Sequence, residues 1–300
     1  MGFDSLPLWV LLALFAGAGG VILVCGVHLT GQADRIADRT GLGEALVGGV
    51  LLGAATSLSG TVVSVTAALD GRASLAFSNA VGGIAAQTAF LAIADIVYRR
   101  GNLEHVAADV SSLFQCALLM LLLAIPLVAY TTPEITLLGV HPASYALVIV
   151  YGSGLLAQRH VREQPMWRVV NTSETHEDSP DEEQHDLRGN LRLIAGFSAL
   201  MLVLASMGWV LAEVAGALTD RFNLNASLVG ALMTAVVTSL PELVTTLAAV
   251  HRGALQLAIG GIVGGNTFDT LFLMLSDVAY RDGSLYQAVS PQDYFWLAIG

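Results

Sequence analysis

Apolar runs separated by polar turns dominate this chain. Eight of them, at 8–29, 43–69, 73–98, 108–130, 135–157, 191–216, 225–250 and 255–280, are long enough to cross a bilayer as helices, which takes roughly 20 mostly apolar residues each. Tyr294 to Gly300 reads as the opening of a ninth, so the chain is expected to be a truncated version of a longer protein. The polar stretches are short, with one exception. Between 158 and 190, Glu174, Glu177, Asp178, Asp181, Glu182, Glu183 and Asp186 cluster among Ser, Thr, Pro and Gln. Such a segment has too little apolar surface to bury and reads as a solvated linker. The expected organisation is a first half over 1–157, the acidic linker over 158–190, and a second half over 191–300 that is incomplete at its C-terminus.

The two halves share a repeat. A shift of 182 positions lays residues 42–101 on 224–283 without a gap, and about a third of the 60 pairs are identical. Thr56-Ser57-Leu58 falls on Thr238-Ser239-Leu240, Gly71 on Gly253, Val81-Gly82-Gly83 on Val263-Gly264-Gly265, and Asp95 on Asp277. Polar and glycine matches held in one register indicate a structural repeat rather than shared apolar composition. Each copy is two spans joined by a tight turn. Passing from span two to span seven crosses the membrane an odd number of times, so the copies are inverted. The fold class expected is all-α: a polytopic transmembrane bundle with two inverted-topology repeats of five helices, the second truncated. Inverted repeats are a common framework of secondary transporters, whose sites lie near the midplane where the repeats meet.

Composition and charge add an orientation and some exclusions. The chain is 55% apolar and 12% charged, a low charged fraction for a soluble domain. All 13 basic residues are Arg; with the N-terminus outside, ten fall on the cytoplasmic side and three opposite. The positive-inside bias then predicts a cytoplasmic linker. Much of the net charge of −11 sits in that linker and identifies no partner. No basic stripe suggests nucleic acid. No nucleophile with its base, phosphate-binding glycine loop or zinc signature is present, so an enzyme has no positive support. Cys25 and Cys116 lie within apolar spans and read as packing residues.

Candidate chemistry sits at membrane depth, where a carboxylate is costly and therefore a functional candidate. Span seven holds Thr234, Thr238, Ser239, Pro241, Glu242, Thr245 and Thr246. Pro241 removes a backbone donor and loosens the helix beside Glu242. Hydroxyls, freed carbonyls and a carboxylate suit a hard cation. Span eight adds Asp269, with Gly261 and Gly265 at a spacing that lets helices approach closely. The first copy carries hydroxyls and amides, but its register places Ser59-Gly60 opposite Pro241-Glu242 and Gln87 opposite Asp269. Asp95 and Asp277 end their spans and are expected at the membrane interface, and Glu213 reads as a rim residue.

At Thr238-Ser239-Leu240-Pro241-Glu242, followed by Gly264-Gly265-Asn266-Thr267-Phe268-Asp269, the chain resembles the calcium/cation antiporter superfamily, and within it the prokaryotic sodium/calcium exchanger family. The resemblance implies ten helices, sites formed by spans two, three, seven and eight, and a sliding gate of spans one and six. It implies an ion site of Thr56, Ser57, Gln87, Thr238, Ser239, Glu242 and Asp269, no cofactor, and sodium and calcium as transported ions. It also implies the inner membrane of a prokaryotic cell. Gly60 departs from the family pattern of one acidic residue per repeat, which should weaken divalent binding. The expected function is a cation antiporter exchanging sodium or protons for calcium or another cation by alternating access. Its partners are inorganic cations and the lipid bilayer, with no nucleic acid. Two alternatives stay open: a non-transporting ion sensor or scaffold on the same fold, and a monovalent cation/proton exchanger.

Overall fold

The computed structural model describes residues 3–40, 55–99, 101–103, 110–163, 187–253 and 255–299. Twelve helices follow a single 3-10 turn among the described residues: α1 Leu8–Thr40, α2 Leu58–Leu69, α3 Ala73–Val97, α4 Val110–Thr131, α5 Pro142–Glu163, α6 Leu187–Phe222, α7 Ala226–Thr238, α8 Leu240–Arg252, α9 Leu255–Asp269, α10 Leu271–Ala279, α11 Leu285–Ala288 and α12 Pro291–Ile299. Among the described residues, five stretches are long and apolar enough to cross a membrane, and the bent pair α7–α8 makes a sixth if it is one span. Most of the acidic linker and the first part of span two lie outside the described residues.

The repeat is visible in the backbone. Gly71 and Gly253, which share a register, both turn with positive φ, at 75° and 82°, a conformation that costs glycine little. Ser57 and Ser239, also in register, interrupt their spans with almost the same angles, φ −82° ψ 0° and φ −94° ψ 2°. Asp95 accepts from the Leu103 amide at 2.8 Å, and Asp277 repeats the bond with the Leu285 amide at 2.9 Å. Packing follows the same symmetry. α1 lies against α6 and α8, while α6 lies against α1 and α2. Gly26 of α1 lets the Pro241 ring approach, and Gly208 of α6 does the same for Ser59, whose carbonyl oxygen lies 2.6 Å from where a Cβ would be. Gly26 pairs with Gly208 in the repeat register, as Ser59 does with Pro241.

Helices α2, α3 and α7 to α10 occupy the centre. α3 touches α2, α7, α8, α9, α10 and α12, and its run from Leu75 to Ile84 is buried on every side. One apolar cluster joins α3, α4, α5, α10 and α12; a second joins α1 and α6. Cys25 and Cys116 are free and partly buried at the edges of such clusters.

Several sequence expectations change. The span expected over 135–157 becomes helical only at Pro142. Before it, Leu138 and Gly139 both take positive φ, at 55° and 80°, and close a tight hairpin through Leu137 and Val140. Span seven contains a π-helical stretch, Val229–Thr234, and a 45° bend at Ser239. Span eight is interrupted at Thr270. Asp277, at the end of its span, is fully buried within the protein, whereas Asp95 at the matching position is exposed. Glu213 is half-buried and within electrostatic reach of Arg72.

Candidate ion-binding site

Two helix breaks create the site. Pro241 lies in the first turn of α8, where its missing N–H has no intrahelical partner to lose. It therefore starts a new half-helix rather than kinking a continuous one. Glu242 falls in that same first turn, where the helix dipole favours a negative charge. Asp269 ends α9, immediately before the Thr270 interruption.

The breaks bring distant residues together. Ser57 Oγ donates to Asp269 Oδ1 at 2.5 Å, and Gln87 Nε2 donates to Asp269 Oδ2 at 2.7 Å. Thr56 hydrogen-bonds Glu242, and the two carboxylates are close enough to repel. Ser239 Oγ and Asp269 Oδ2 border the same small space, 3.7 and 3.8 Å from where a Gly83 Cβ would be. Thr238 Oγ1 donates to the Ala235 carbonyl within its own helix and lies 3.5 Å from the corresponding point at Gly60. The seven residues expected from the sequence thus surround one region between the repeats. All seven are nearly or fully buried, Glu242 at 7% exposure and Asp269 at 2%.

The electrostatics are one-sided. Neither carboxylate forms an ion pair among the described residues. Glu242 Oε2 and Gln87 Oε1 are buried with no hydrogen-bond partner. An unpaired buried carboxylate oxygen is expensive, and a cation would satisfy it. Among the described residues no group of three or more His, Cys, Asp or Glu could hold a metal ion, so the other donors are neutral oxygens.

Asn266 is absent from the expected ligand set. Its Nδ2 reaches Thr88 Oγ1 at 3.2 Å, and its Oδ1 is buried without a partner. Its spacing of three from Asp269 places both on one helix face, which is the signal that points to it. The glycine pair in α9 works differently from the expectation. Gly261 has nothing near it, and Gly265 makes room for Gln87 Oε1, 3.2 Å from the place of a Cβ. The close helix approach is at Gly82 instead, against the Ala231 backbone.

The family model described as sodium/calcium exchanger protein matches residues 10–158 and 192–280. Over 96 residues the chain is 31% identical to the candidate antiporter CaxA of Alkalimonas amylolytica, a match covering 32% of this chain and only 30% of that protein. Its structure is similar to that of the sodium-calcium exchanger NCX_Mj soaked with 2.5 mM Na+ and 0.1 mM Sr2+, at a TM-score of 0.56 and 15% identity over 97% of this chain and 88% of the other. It is also similar to native YfkE, at 0.53 and 13% over 96% and 89%. At these identities the structural likeness is one of fold.

Proposed function

This chain belongs to the sodium/calcium exchanger protein family and is an integral membrane protein, and we propose that it is a cation antiporter working by alternating access. It exchanges sodium or protons for calcium or another cation. The ion is held by Glu242 and Asp269, with Thr56, Ser57, Gln87, Thr238 and Ser239 supplying neutral oxygens. The observation that carries this reading is the pair of buried carboxylates with no cationic partner among the described residues, one of them with an unsatisfied oxygen at a helix break. The competing ion neutralises the same two groups, so one species is held at a time, which is what exchange requires. The paired Gly26–Pro241 and Gly208–Ser59 contacts support a two-state motion, since α1 and α6 can trade environments across the pseudo-two-fold.

Gradient-driven flux into vesicles tests the reading. Glu242→Gln should abolish exchange while leaving the protein folded; exchange at the native rate would reject it. A monovalent cation/proton exchanger is a second reading, favoured by Gly60, which leaves the first repeat without a carboxylate at the position matching Glu242. Uptake driven by a pH gradient, with no response to calcium, would select it.

A further inference from the structure

The repeat places Gly60 where the second copy has Glu242. An aromatic ring stands beside it. A Cβ at residue 60 would lie 3.0 Å from Phe272 Cε2 and 3.6 Å from Phe272 Cζ. Any side chain at 60 therefore begins by pressing on that ring. Phe272 follows the Thr270 interruption, is 3% exposed, and belongs to α10, which packs on α2. The ring is held in place. Phe268 meets it edge-on at 6.3 Å and 86°, and Tyr151 meets Phe268 at 6.2 Å and 73°. Asn79 engages what remains of residue 60. Its Nδ2 donates to the Gly60 carbonyl at 3.1 Å and to Ser64 Oγ at 2.8 Å, and Thr234 donates to its Oδ1 at 2.6 Å.

We propose that Phe272 is a specificity-determining residue of the cation site, biasing it away from calcium and toward a monovalent cation. This rests on the reading of that site given above. Calcium takes about six to eight oxygen ligands, some of them water. The ring contributes no oxygen and fills the side on which a first-copy carboxylate or a water would stand. Only the donors on the Glu242–Asp269 side remain. Phe272 and Gly60 act as a pair: the small residue accommodates the ring, and the ring takes the place of a ligand.

The test titrates the thermal unfolding midpoint of the purified full chain with calcium chloride and, separately, sodium chloride at constant ionic strength. Phe272→Ala should lower the half-saturating calcium concentration relative to sodium by at least about threefold, because water or a neighbouring oxygen can enter. Gly60→Glu alone should lower the midpoint and gain no calcium response. With Phe272→Ala added, the half-saturating calcium concentration should fall by about tenfold or more. An unchanged calcium-to-sodium ratio in Phe272→Ala, or an equal loss for both ions, overturns the proposal. So does a full calcium gain from Gly60→Glu alone. Glu242→Gln separates the two levels. If it leaves both titrations intact, or if the native chain responds to neither ion, the cation-site reading itself fails. If it abolishes them while Phe272→Ala leaves the ratio unchanged, only the role of Phe272 fails.

Discussion

Ser57 and Asp269, 212 positions apart, are joined by a 2.5 Å hydrogen bond between the interruption within span two and the end of α9. The bond ties the first repeat to the second at the point where both spans lose regular helix. With the Gln87 bond to the other oxygen, it holds a buried carboxylate in one orientation.

Removing those donors should be costly. Ser57→Ala and Gln87→Ala each leave a buried Asp269 oxygen without its donor, at a cost of about 1–3 kcal/mol. Thermal unfolding should show a lower midpoint for each. The double variant should fall short of the sum, since both donors serve one group.

Asp277 and Asp95 should behave differently despite sharing a register. Asp277 is buried and accepts from the His141 amide at 2.8 Å, Ser144 Oγ at 2.7 Å and the Leu285 amide at 2.9 Å. Asp95 is exposed and accepts from the Leu103 amide. Asp277→Asn should lose about 2–4 kcal/mol of stability, and Asp95→Asn about 1 kcal/mol or less. Denaturation of the two purified variants under one condition makes the comparison.

Gly208 should not tolerate a side chain. A Cβ there meets the Ser59 carbonyl oxygen at 2.6 Å, a backbone atom that cannot swing away, whereas Gly17 of α1 has nothing within 4 Å. Gly208→Ala is expected to destabilise by about 1–3 kcal/mol through overpacking. Gly17→Ala should be neutral or slightly stabilising, because alanine loses less backbone freedom in a helix. Unfolding midpoints of the pair measure the contrast.

His141 should make stability fall in mild acid. It lies in the hairpin ahead of α5, where desolvation lowers its pKa from 6.5 against the opposing pull of Asp277. Its Nδ1 accepts from the Ala143 amide at 3.1 Å, so the neutral ring is the one that fits. A group whose folded pKa is depressed protonates first in the unfolded chain. Its contribution is therefore present above 6.5 and is lost as pH falls from there through the lower folded value. His141→Asn should flatten the midpoint-against-pH curve over that window.

Much of the architecture was legible along the chain, and particular residues show why. Gly71 and Gly253 marked the turns because few other residues accept positive φ there. Pro241 marked the span-seven break because it cannot donate to a helix. The hairpin at Leu138-Gly139 was hidden by its apolar neighbours, which look like a span until the backbone turns. The Thr270 interruption has no proline or glycine at it to announce it.

By itself, the sequence determined the helical class, the inverted repeat and the confinement of the two mid-span carboxylates, Glu242 and Asp269, to one copy. Those follow from periodicity and register, which relate residues along one helix or between equivalent positions. The tertiary structure alone decided that Ser57 meets Asp269, that Asn266 carries a buried unpaired oxygen, and that Phe272 stands against Gly60. Such meetings depend on how separate helices cross and which faces they turn to each other, and spacing within a chain does not encode the crossing. The missing carboxylate opposite Glu242 was visible as a glycine in the register; that the Phe272 ring stands beside that glycine became visible only when α10 was packed on α2.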